Sequence, residues 1–73
     1  MKRFIGINYL HEDGTTSAGM ICMDDVARII ATDDGYTKVY YTCGQCDTLT
    51  CSYKDFNEYL QRRNIIEVTV SIV

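Results

Sequence analysis

An α+β domain is the fold class this sequence predicts: a small antiparallel sheet or open barrel of five to six strands with one helix, in the order β-β-β-β-β-α-β. Three observations predict it. Short runs rich in Ile, Val, Tyr and Thr recur between turns bearing Gly and Asp, and such side chains suit a pleated surface. One stretch switches to helical spacing, placing Tyr53, Phe56, Tyr59 and Leu60 on a single stripe. The strand runs are joined by short connections, and the helix is then left to pack across one face of the sheet.

Taken in order, residues 4–10 read as a strand with Ile5, Ile7 and Tyr9 on one face. The polar stretch 11–19, with Gly14 and Gly19 towards its ends, reads as a loop. Met20-Ile21-Cys22-Met23 is a short second strand. Asp24-Asp25 breaks it with an Asx-turn or a single helical turn. Residues 28–32 form a third strand, and Asp33-Asp34-Gly35 carries the Asp-Gly hairpin signal.

The stretch 36–60 is the folding centre. Tyr36 to Cys43 is the clearest strand, and 47–52 follows it after a turn. A three-residue loop at 44–46 sets Cys43 opposite Asp47, Tyr41 opposite Leu49 and Val39 opposite Cys51, so the apolar residues share a face. A five-residue loop keeps the same faces. Ser52 is the expected N-cap, with Asp55 in the first turn. Arg62, Arg63 and Asn64 suit the helix end. Tyr41, Tyr53 and Tyr59 are expected in the core, and Tyr36 and Tyr40 on the surface. Residues 65–73 alternate Ile66, Val68, Val70 and Ile72 with polar neighbours and read as a last strand. It would pair with the first strand or with another chain, giving a homodimer through 65–73.

With 73 residues the chain makes one domain, 1–73. A chain of this size buries only about 60% of its unfolded surface. Ten acidic against seven basic residues give a net charge of −3, which disfavours non-specific nucleic-acid binding and favours a protein partner with a basic surface. No run reaches the length of a membrane span, and the N-terminus lacks the pattern of a signal peptide. The expected location is the cytoplasm, with the four cysteines reduced.

Chemistry-bearing residues are few. Cys43 and Cys46 have the spacing of half a zinc site, but the sequence offers no second half. Zinc at this pair is an alternative reading; otherwise no cofactor is expected. The single histidine, His11, has no nearby nucleophile, and no catalytic residue is assigned. The acidic turns carry more information. In an up-and-down meander Glu12, Asp13, Asp33 and Asp34 gather at one end, and Asp24, Asp25 and Asp47 at the other. Together with Tyr36 and Tyr40, the first four form the candidate binding surface, since exposed aromatics anchor interfaces.

Asp25-Val26 with Ile29-Ile-Ala31, Tyr36-Thr-Lys-Val-Tyr40 and Cys51-Ser-Tyr-Lys-Asp-Phe-Asn-Glu-Tyr-Leu60 resemble the central part of a LytTR-type domain, and a similar pattern occurs in small FlbD-like flagellar proteins. The resemblance covers about half the chain. It implies a related fold and DNA binding, here through Lys38, Lys54, Arg62 and Arg63. The family's basic strand after the helix is replaced by Ile66-Glu-Val-Thr-Val70. The reading that fits charge and composition best is a small acidic, non-catalytic module that binds a protein. It is of the inhibitor or adaptor type that phages and mobile elements encode.

Overall fold

Alternation and turn chemistry build the observed sheet. The computed structural model describes residues 3–63. Its strands are β1 (Phe4–Leu10), β2 (Thr16–Cys22), β3 (Val26–Ala31), β4 (Thr37–Tyr41) and β5 (Cys46–Leu49), followed by the helix α1 (Tyr53–Arg62). A single 3-10 turn, Met23–Asp25, joins β2 to β3. The Asn64 helix end and the 65–73 strand expected from the sequence lie outside the described residues.

One device closes all three hairpins. Gly14, Gly35 and Gly44 donate their amides to the carbonyls of His11 (3.0 Å), Thr32 (3.2 Å) and Tyr41 (3.0 Å). The amides of His11, Thr32 and Tyr41 in turn donate to the carbonyls of Thr15 (2.8 Å), Tyr36 (2.9 Å) and Gln45 (2.8 Å). The three glycines have φ of 87°, 89° and 94°. Each loop is therefore a tight turn ended by a glycine bulge, at a backbone angle that L-residues rarely adopt.

This device corrects three sequence expectations. The 11–19 loop is only a hairpin loop, because Gly14 ends the turn and β2 begins at Thr16. The first residues of β2 are polar because their side chains are exposed, so they carry no apolar signal. The 36–43 strand stops at Tyr41, since Thr42 and Cys43 are needed in the loop ahead of Gly44. The loop thus has three residues, 42–44, not 44–46, because the glycine must come last. Val39 then pairs with Asp47 instead of Cys51, and Thr37 with Leu49. The shift is even, so the face assignment holds: Val39 and Leu49 are both fully buried. β3 starts at Val26, two residues earlier than expected, with a register irregularity between Val26 and Arg28.

The sheet order is β2-β1-β5-β4-β3, with every described pair antiparallel. This is not the simple meander. Among the described strands β2 and β3 stand at the two ends of this order and run in the same sense, yet only three residues separate them. The sheet must coil until opposite corners meet. The 3-10 turn closes the gap: Met23 donates its amide to Arg3 O (2.8 Å) on the β1 side, and Asp25 O accepts from Thr42 N (2.8 Å) on the β4 side.

On the inner face Ile5, Ile21, Val39 and Leu49 pack against Phe56 and Leu60 of α1. Ser52 caps the helix as expected, its hydroxyl accepting from Asp55 N at 3.1 Å. Tyr59 joins the core edge, but Tyr53 is 42% exposed, because the first helical residue overhangs the sheet instead of lying over it. Thr37 is buried with its hydroxyl donated to Cys51 O (2.9 Å), which removes the cost of burying it.

Candidate functional site

A twisted sheet is a saddle, concave along one diagonal on one face and along the other diagonal on the opposite face. Here each face has a concavity.

The outer face turns away from the helix. Leu10, Thr48, Lys38 and Ile30 are register partners in a row across β1, β5, β4 and β3. They floor a concavity of about 650 Å³, bordered by the β1–β2 loop on one side and the β3–β4 turn on the other. Glu12 comes from the first, Asp33 and Asp34 from the second, and Tyr36 closes the wall. The acidic turns reach this place from opposite corners of the saddle, not from one end of a meander. His11 and Lys38 also line it, so three carboxylates stand against one lysine.

Two candidate residues lie elsewhere. Asp13 is turned back on its own loop. It accepts the amide (2.9 Å) and hydroxyl (2.6 Å) of Thr15, and these bonds hold its carboxyl below the ordinary value. Tyr40 is half-buried, not exposed. The Arg28 guanidinium lies 4.3 Å from its ring centroid and the Lys38 ammonium 5.6 Å. Tyr36 is also half-buried, because it sits within the wall of the concavity. The apolar floor, Leu10 and Ile30, escaped the sequence reading. Its signal was the outward position of both residues in their strands.

The second concavity, about 530 Å³, opens where the coiled corners meet. Tyr9 and Tyr41 line it, with Asp47 and Asp25. Tyr41 donates its hydroxyl to Asp47 Oδ2 at 2.7 Å, and Tyr9 donates to Met20 O at 3.2 Å. Burial pushes the Tyr41 hydroxyl pKa well up, and the bond to Asp47 adds to the rise. Burial raises that of Tyr9 as well, helped by the charge of Asp47. Asp24, expected alongside Asp25 and Asp47, does not line this cavity. The Tyr9–Tyr41–Asp47 group was not legible beforehand, because Tyr9 reaches it through the β1–β5 pairing, which no local signal reports.

All four cysteines are free thiols. Cys43 and Cys46 are exposed on the β4–β5 hairpin, Cys22 is buried, and Cys51 is half-buried with its thiol pKa raised by burial. Among the described residues, no group of three or more His, Cys, Asp or Glu side chains is arranged to hold a metal ion. Nor is any described helix long and apolar enough to cross a membrane.

No family model, curated protein or solved structure was found to match this chain.

Proposed function

We propose that this chain is a non-catalytic binding module that docks a basic protein surface into its outer concavity. One observation carries the reading: two acidic loops from distant parts of the chain border one shared concavity. Leu10 and Ile30 at the two ends of the floor and Tyr36 in the wall offer apolar contact, and Glu12, Asp33 and Asp34 offer charge at the margin. Protein interfaces combine apolar contacts with polar and charged groups around them. The rim charges would steer a basic partner and speed its encounter more than they would tighten the complex. An inhibitor or adaptor of the kind phages and mobile elements encode fits this size and charge. The cytoplasm fits its free thiols.

The test is affinity capture from the native host with the wild-type chain and with Asp33→Lys/Asp34→Lys, both changes lying in an exposed turn. The expected result is a protein held by the wild type, released by moderate salt and absent from the variant capture. Recovery of the same proteins by both chains removes the outer concavity from consideration.

A second reading is supported by the Arg28–Tyr40–Lys38 stack, which sets two cations beside an aromatic ring on the outer face. With exposed Arg62 and Arg63, it is the feature that fits a LytTR-like DNA-binding role. A duplex-DNA titration separates the two readings. Affinity falling steeply with salt supports the DNA role, and no binding at low salt ends it. Zinc at Cys43 and Cys46 is tested by metal analysis of protein purified without chelator, where absence of stoichiometric zinc removes it.

A further inference from the structure

We propose that the inner concavity is a separate binding site for a small organic cation, an alkylammonium or guanidinium group. It is lined by three aromatic rings, Phe4, Tyr9 and Tyr41, and two carboxylates, Asp25 and Asp47. No lysine, arginine or histidine lies among the described residues that line it. This distinguishes it from two other aromatic positions of the chain. Tyr40 is covered by Arg28 and Lys38, and Tyr59 by Arg63, whose guanidinium lies 4.5 Å from the ring centroid. The outer concavity likewise contains its own Lys38. Among the described residues the inner site has no such cation of its own.

Aromatic rings attract cations through their negative faces, and a carboxylate fixes the direction of approach. Both tyrosines are already positioned. Their hydroxyls are engaged with Met20 O and with Asp47 Oδ2, so neither needs a ligand to hold it. Asp47 spends only one oxygen on Tyr41, and its second is available to an incoming N–H. Asp25 contributes its main-chain carbonyl to the Thr42 amide and keeps its exposed carboxylate for a ligand. A linear alkyl chain would lie along the exposed Phe4 with its charged end towards Asp47. The cation can be a free amine or the tip of a lysine or arginine side chain. This site needs no contact with the outer concavity and stands or falls independently of it.

The test is an NMR titration of the intact chain with n-butylammonium, N-acetyl-lysine amide and its uncharged counterpart N-acetyl-norleucine amide. Saturable shifts are expected at Tyr9, Tyr41 and Asp47 for the two cations, with dissociation constants on the order of millimolar, and none for norleucine amide. Saturation by lysine amide alone assigns the cation to a peptide side chain. Saturation by both allows a free amine. Asp47→Asn keeps an acceptor for Tyr41 and is expected to weaken binding roughly tenfold, the loss of about one charged contact. Asp25→Asn, in an exposed turn, provides the same test should the first variant fail to fold. The proposal is overturned by unsaturable shifts, by equal binding of norleucine amide, or by wild-type affinity in the folded variants.

Discussion

Tyr9 shows what one side chain demands of its neighbours. Its ring lies across Gly19 on the adjacent strand, where a Cβ would run into Cε2 and Cδ2 of the ring. Its hydroxyl is tied to Met20 O. Gly19 therefore belongs to a strand because Tyr9 needs the space, although a glycine in a polar run reads as a loop. Gly19→Ala is expected to cost about 1–3 kcal/mol by overpacking. In Tyr9→Leu the same alanine should cost much less, and a double-mutant cycle by urea unfolding measures the coupling. Tyr41 makes a pH prediction. Its folded pKa is raised above the ordinary 10.0, so the neutral phenol is the form that the fold favours. That contribution is complete below pH 10 and is lost as pH rises from there towards the folded pKa. Urea midpoints at about pH 8 and about pH 11 should differ less in Tyr41→Phe than in the wild type. An equal difference in both would show that Tyr41 carries none of the alkaline loss.

At the scale of elements, the sequence was read best where local chemistry decides. The Ser52 cap, the Phe56–Leu60 face and the inward parity of Val39 and Leu49 follow from spacing alone, and the structure has all of them. The hairpins were harder. Each acidic or polar pair ahead of a glycine is one turn of the same kind, but only Asp33-Asp34-Gly35 sits between obvious apolar strands. Glu12-Asp13-Gly14 precedes a strand that starts polar, and Thr42-Cys43-Gly44 is masked by a run that looks extended. Local preference marks a turn, whereas exact register depends on where the glycine must fall. Gly44→Ala would force an L-residue to a φ of 94° and is expected to cost about 1–2 kcal/mol. Ser52→Ala removes the bond to Asp55 N and should cost about 1 kcal/mol. Thermal unfolding of each variant checks both figures. The two sites lie at opposite ends of β5 and share no hydrogen-bond partner, so they are expected to add in the double variant.

Across the whole molecule, the topology escaped the sequence because no local signal reports that β5 pairs with β1. That pairing, made by Tyr9 with Leu49 and Leu10 with Thr48, joins the β1–β2 hairpin to the β3–β4–β5 unit and puts β2 and β3 at the two ends of the described strand order. Leu49 stands at the junction. It is opposite Tyr9 on one side and Thr37 on the other, and it is fully buried beneath the helix. Among the described residues the buried apolar core is small: Ile5, Ile21, Cys22, Val39, Leu49, Phe56 and Leu60. A domain of this size has about 3–5 kcal/mol of net stability from a single core, and truncating a buried leucine costs about 2–5 kcal/mol. The two quantities are comparable. Leu49→Ala is therefore expected to unfold much of the population at room temperature, with both halves of the sheet lost together. Ile30→Ala, on the outer face at 37% exposure, should shift stability by no more than about 0.5 kcal/mol. Amide hydrogen exchange checks the claim in detail. If β1–β2 kept its protection in Leu49→Ala while β3–β4 lost it, the two units would be independent, and Leu49 would not be the point where they become one domain.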